Sequence, residues 1–334
     1  MINFYFLFLL TFFNIILLFN FMSYSKFFKI EDRPDNIRKI HKKNIKVLGG
    51  TLIISNLILY ALFYLIFEPL YLEKFYGNQQ NFLIFLISSL AMYIIGLLDD
   101  KKNLPALNKL TFTIIVISIS LFFNRKLITE INLSFYEQKI FLGQFSFLFT
   151  LFCYIIFINS FNMLDGINLQ AGLYSLFLFL VMLTMGLDIV FSIVILFGII
   201  VYINFNRQNK MFLGDNGCLL LAFIISYCLI DLFNENKIIY SDTILILLMI
   251  PGLEIIRLSF ERIKNNKSIL EADRRHIHHI VKFHNKELKG VLFIQLLIII
   301  PYILSIYSKN YLPIILGSVF IYFFLIYYFK KNDF

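Results

Sequence analysis

The chain has 334 residues, 59% of them hydrophobic, and a mean hydropathy of +0.79. Soluble domains are nearer half apolar, so the composition excludes a water-soluble globule and indicates a multi-span membrane protein. The formal charge of +9 gives no reason to expect nucleic acid, because most Lys and Arg fall between apolar spans, as basic cytoplasmic loops require. Cys153, Cys218 and Cys228 lie in apolar or membrane-edge context without a CxxC pair, so neither a disulfide frame nor a zinc site is expected.

Residues 2–22 are apolar, with no positive charge before them and no small-residue cleavage site after them. They are expected to form an uncleaved first span. Further apolar runs fall near 48–67, 81–98, 109–123, 146–162, 170–186, 189–204, 215–233, 242–259, 290–308 and 312–329. The expected fold is an all-α polytopic membrane protein of about 10–11 transmembrane helices, one domain over 1–334, with no soluble domain inserted. With the N-terminus outside and the spans alternating, segments 23–47, 99–109, 205–214, 257–290 and 330–334 lie inside and hold 24 of the 30 Lys and Arg. Lys74, Arg125, Lys126, Lys139, Lys237 and Lys309 fall outside. That bias orients the chain. It also sends every suspicious polar cluster to the cytoplasmic side, which points to one composite site on that face.

Taken in order, the first cluster is the loop from Asp32 to Gly50, with Arg38, Lys39, His41 and Lys42 ahead of Gly49-Gly50. A basic loop can simply bind lipid headgroups; a Gly-Gly at the entry to a membrane helix asks for more. Asp99-Asp100 then closes the third span. Adjacent carboxylates there need a cation or a shared proton, unless they form a solvated helix end neutralised by Lys101 and Lys102. Next, Asn159, Asn162, Asp165 and Asn168 follow the apolar run from Phe147 to Ile158 and recur every three residues. While the backbone stays helical they share one face. The plainer alternative is a hydrophilic helix end broken by Gly166. Phe212-Leu-Gly-Asp215-Asn-Gly217 is a second carboxylate turn, and Asp215 begins the eighth helix, whose amides and dipole favour phosphate. Finally, Asp273-Arg274-Arg275-His276-Ile277-His278-His279 combines cationic and imidazole donors that suit a diphosphate, where zinc would lack soft ligands. A merely solvated basic loop is the alternative. Carboxylates, glycine turns and phosphate-binding cations on one membrane face point to metal-assisted phosphoryl chemistry. Magnesium takes few protein carboxylates and completes its shell with water and substrate phosphate.

These motifs resemble those of the polyprenyl-phosphate N-acetylhexosamine-1-phosphate transferases, which include the phospho-MurNAc-pentapeptide translocases. The matching stretches run in order through residues 32–279: Arg38-Lys-x-His…Gly-Gly50, Gly-Leu-Leu-Asp-Asp100, Asn162-x-x-Asp-Gly166, Phe-Leu-Gly-Asp215 with Gly217, and Asp273-Arg-x-His-x-His-His279. The Pro251…Glu254…Arg257…Arg262 run also looks like the family's ninth helix. The resemblance implies transfer of a HexNAc-1-phosphate from a UDP-sugar to undecaprenyl phosphate, with release of UMP, as the first lipid-linked step of cell-envelope polysaccharide synthesis. It implies a multi-pass protein of the bacterial cytoplasmic membrane that works on membrane lipid and not on nucleic acid; a homodimer stays open. By the same resemblance Asp215 ligates Mg²⁺, or Mn²⁺ in its place, with help from Asn162 and Asp165. Asp99 and Asp100 handle the lipid phosphate, one of them as base, while His276, His278, His279 and first-loop residues such as Lys42 hold the donor diphosphate.

The sequence departs from the family pattern in three places. The usual Asp-Gly-x-Asp/Asn-Gly-Leu is shortened to Asp165-Gly-Ile-Asn-Leu-Gln170, so a second glycine is missing and Asn168 replaces an acid. Lys46 stands where a proline commonly precedes Gly-Gly, and Cys218 replaces a frequent Ser. A transporter would prefer charges near the midplane of broken helices and repeat symmetry. The Asp-Gly-x-x-Ala-Arg run of a CDP-alcohol phosphatidyltransferase is absent. Within the family, Ile277 between the histidines separates this chain from the contiguous His-His-His of the pentapeptide translocases and favours UDP-GlcNAc or a close relative as donor.

Overall fold

A computed structural model of the protein describes residues 2–20, 30–32, 44–266, 268, 277–280 and 287–332. The helices among them are α1 (Ile2–Phe19), α2 (Gly49–Phe67), α3 (Pro69–Tyr76), α4 (Gln79–Lys102), α5 (Ala106–Asn124), α6 (Ser146–Leu164), α7 (Gln170–Thr184), α8 (Ile189–Arg207), α9 (Gly214–Asn234), α10 (Ser241–Lys264), α11 (Ile277–Ile280), α12 (Glu287–Tyr307) and α13 (Leu312–Asn332). Ten described helices are long and apolar enough to cross a membrane, and the eleventh apolar run becomes α7, a shorter helix of 15 residues. The all-α polytopic expectation therefore holds. What it omitted are short strands: β1 (Glu31–Asp32), β2 (Ile45–Val47), β3 (Glu130–Leu133), β4 (Tyr136–Phe141) and β5 (Met211–Phe212).

Helix ends follow local chemistry. The Asn78 side chain accepts the Asn81 N–H at 2.7 Å and starts α4; Asn103, left-handed at φ 50°, stops it. Asp188 does the same for α8, accepting the Phe191 N–H at 2.7 Å. The helix flanks that meet no protein are apolar, as Phe8 at 68% and Phe19 at 85% exposure show, and such surface is stable only against lipid.

Two compact units divide the chain: Met1–Arg125 with Ala171–Ile225, and Lys126–Gln170 with Ser226–Phe334. In the first, α2 packs on α8, α4 on α5, and α1 on α8. Asn14 and Asn56, both buried, bond each other at 3.1 Å and tie α1 to α2 through paired amides, the arrangement that satisfies polar groups away from water. Strand β2 pairs antiparallel with β1 and parallel with β5, Lys46 lying beside Met211. Lys46, the residue in place of proline, forms an ion pair with Glu31 across this small sheet. In the second unit α10 packs on α6 and α12, and α12 on α13. There the β3–β4 hairpin is pinned by the Ser134 N–H to Asp242 at 3.0 Å, and the Tyr311 N–H reaches Ser134 Oγ at 2.9 Å. All three cysteines are free.

Candidate active site

The last turn of α4 carries Asp99 and Asp100 where the helix dipole disfavours negative charge. Each therefore needs its own donors, and the two carboxylates turn to different ones. Asp100 accepts the backbone N–H of Asp215 at 2.9 Å and of Asn216 at 3.0 Å, and also the Asn216 side-chain amide. A carboxylate from α4 thus caps the N-terminus of α9, where free amides and the positive dipole end welcome it. Asp99 accepts the Leu104 N–H at 2.7 Å and Lys109 Nζ at 2.8 Å. Lys109, from the first turn of α5, also forms an ion pair with Asp215. The three side chains keep 16% (Lys109), 12% (Asp99) and 27% (Asp215) of their exposure, so the cluster is sheltered yet reachable.

Close backbone approach makes this possible. A Cβ on Gly96 would lie 2.3 Å from the Asp215 carbonyl oxygen, and one on Gly50 would lie 2.2 Å from Asn216 Oδ1. Only glycine at those positions lets α2 and α4 close on the first turn of α9. The Gly-Gly at the mouth of α2 and the glycine three residues before Asp99 thus have a packing reason.

Lys109 is the residue that the sequence reading missed as part of the site. Lys101 and Lys102, proposed there as neutralising cations, are exposed; Lys109 supplies the positive charge to Asp99 instead. Its sequence signal was weak: one lysine where an apolar run begins, far along the chain from Asp215. Asn216 stands inside the Phe212–Gly217 turn, but nothing local shows that its amide faces Asp100 and Val47. It is fully buried and spends its amide on Asp100 and on the Val47 carbonyl at 3.3 Å.

In the second unit, α6 ends at Leu164, which limits the shared-face reading of the third cluster to Asn159 and Asn162. Asn159 turns back to the Ile155 carbonyl at 2.8 Å, and Asn162 is half-buried. Asp165 is the C-cap residue, its N–H bonded to the Phe161 carbonyl at 3.2 Å, and Asn168 lies in the turn that follows. Leu169 adopts φ 72° before α7 begins. Arg38, Lys39, His41, Lys42, Arg274 and His276 lie outside the described residues, as do the side chains of His278 and His279, whose backbone belongs to α11.

For a divalent ion, the donor chemistry is informative. Among the described residues there is no group of three His, Cys, Asp or Glu side chains suited to enclosing a metal. Asp99 and Asp215, however, already share one cation, the Lys109 ammonium. Two carboxylates converging on a cation suit magnesium, which uses one or two and keeps water and phosphate in its shell. The residues fit an open site rather than a closed cage.

The chain is similar to proteins that are already known. The family described as "Glycosyl transferase family 4" matches residues 82–233, a stretch that includes Asp99, Asp100, Lys109, Asp165 and Asp215. The chain is 25% identical over 262 residues to the undecaprenyl-phosphate alpha-N-acetylglucosaminyl 1-phosphate transferase of Escherichia coli K12, covering 75% of this chain and 68% of that protein. It is 26% identical over 268 residues to the protein of the same name from Yersinia pestis, with the same coverage. With a probable undecaprenyl-phosphate N-acetylglucosaminyl 1-phosphate transferase of Bacillus subtilis it shares 29% identity over 313 residues, 88% of this chain and 81% of the relative. The family match and the relatives' names agree with one another.

Proposed function

We propose that the protein transfers a HexNAc-1-phosphate from a UDP-sugar, UDP-GlcNAc or a close relative, to undecaprenyl phosphate at the cytoplasmic face of a bacterial inner membrane. An oxygen of the lipid phosphate attacks the sugar-bearing phosphorus of the donor. The bond to the UMP oxygen breaks, UMP leaves with the electron pair, and the number of pyrophosphate links is unchanged. Such transfers need positioning and charge neutralisation more than covalent help from the protein. The observation that carries the reading is the Asp99–Lys109–Asp215 cluster beside an α9 N-terminus capped by Asp100.

Within it, Asp100 spends both oxygens on α9 donors and fixes the first turn that carries Asp215. Asp99 and Asp215 remain the carboxylates on which a cation and the reacting phosphates converge. Lys109 bridges the two and donates to phosphate oxygens. Bound Mg²⁺ would neutralise the oxygens of the transferred phosphoryl group. By the resemblance, Asn162 and Asp165 on the α6–α7 turn assist the cation, and Asn168, the histidine segment and the first-loop cations Arg38, Lys39, His41 and Lys42 serve the donor.

The test is purified protein with undecaprenyl phosphate, Mg²⁺ and a panel of UDP-sugars, with UMP release followed. UDP-GlcNAc or a related HexNAc donor should turn over and UDP-MurNAc-pentapeptide should not. Turnover of the pentapeptide donor alone would move the chain to the translocase branch, and no UMP from any donor would remove the reading.

A further inference from the structure

Glu254 lies in α10 with 2% exposure, and a carboxylate that deep is tolerated only when its oxygens are fully bonded. Here they are. Oε1 accepts Arg257 Nη2 at 2.8 Å and the backbone N–H of Ile277 at 2.7 Å. Oε2 accepts Arg257 Nε at 3.2 Å and the hydroxyl of Tyr322, a fully buried residue of α13. Arg257, three residues along the same helix face, passes its remaining nitrogen Nη1 to Glu261 at 2.9 Å.

Arg257 and Tyr322 alone would account for a structural tie between α10 and α13. The Ile277 amide would not be needed for that, and it comes from a different place. It is the first residue of α11, the four-residue helix whose backbone carries His278 and His279. A single helical turn has no stability of its own. Its position is set by what holds it: the Glu254 carboxylate on its first N–H, and the burial of Ile277 at 1% and Ile280 at 7% exposure. Ile277, the residue that separates the histidines, is thus the anchoring point of the segment.

We infer that Glu254 is a positioning residue for the histidine segment: by binding the Ile277 amide it fixes the backbone that carries His278 and His279, the residues assigned above to the donor diphosphate. The inference rests on the proposed function for what those histidines bind, and on geometry alone for the anchor. Glu254 does not touch substrate; it acts through α11.

Two measurements on the full-length protein in detergent test it. Hydrogen exchange reads the anchor directly. In Glu254→Ala the amides of 277–280 should exchange about tenfold faster or more, the loss expected for one charge-assisted hydrogen bond, while α4 and α9 stay unchanged. Kinetics read the role. The donor KM should rise about tenfold with the undecaprenyl phosphate KM unchanged. Glu254→Gln, which keeps an oxygen acceptor for the Ile277 N–H, should recover most of the donor KM. If Glu254→Ala does not fold, Glu254→Met, which fills the volume without an acceptor for the Ile277 N–H, is read by the same two criteria. Unchanged exchange at 277–280 in a folded variant that lacks the acceptor overturns the anchor. Faster exchange with equal shifts in both KM values reduces Glu254 to a structural residue. If the wild type releases no UMP, the proposed function fails and the exchange result still decides the anchor.

Discussion

Leu169 holds φ 72°, where a β-carbon crowds the backbone at a cost of about 1–2 kcal/mol. The related motif carries a glycine shortly after its Asp-Gly, and the sequence reads here as if that glycine had been lost. The turn itself has not been lost, because Leu169 takes the left-handed conformation that glycine would adopt freely. A paired substitution isolates this backbone strain. At an ordinary position Ala is more stable than Gly; at 169 the order should reverse, Leu169→Gly exceeding Leu169→Ala by about 1 kcal/mol in detergent melting. Ala equal to or above Gly would remove the strain. Lys109 makes the second residue-scale prediction. Lys109→Met leaves Asp99 and Asp215 facing each other without their cation and should lower kcat for UMP release about a hundredfold or more. Lys109→Arg, with charge but a planar head in place of a compact one, should recover only part of it. No local pattern marks Lys109, because its partners lie on α4 and α9; the carboxylates were legible since each sits in a short motif that also holds a glycine.

At the scale of elements, the helices were readable because an apolar run ending in Asn, Gly or a charge is a local signal. The small sheet was not, since strands of two or three residues are too short to show alternation. Nor could a sequence show that adjacent aspartates would divide their work between a helix cap and an ion pair. The division is testable. Asp100→Ala removes the cap of α9 and should cost about 1–2 kcal/mol of stability as well as activity. Asp99→Ala loses a partly exposed ion pair, worth less to the fold, and should abolish transfer with a melting temperature near that of the wild type. Equal destabilisation by the two would refute the distinct roles.

For the whole molecule, hydrogen bonds constrain the path through the membrane as basic residues constrain its direction. Asp100 at the end of α4 bonds the start of α9, so both ends lie on one side. Between them run α5, α6, α7 and α8, and an even number of crossings requires α7 to cross. The hairpin repeats the constraint: Ser134 bonds Asp242 at the start of α10, with α6, α7, α8 and α9 between. At 15 residues α7 spans about 22 Å, less than the hydrocarbon core, so the adjoining turns or a locally thinned bilayer make up the difference. The 24-to-6 division of Lys and Arg is the ground for proposing that the Asp99 side is cytoplasmic. In a variant without native cysteines, a cysteine at Asn103 or Asn265 should resist an impermeant thiol reagent in intact cells, and one at Asn78 or Asn234 should react. Labelling of Asn103 with protection of Asn78 would invert the orientation and take the UDP-sugar site out of the cytoplasm. Labelling of Asn103 and Asn234 alike would break the even crossing count and leave α7 on one side of the membrane.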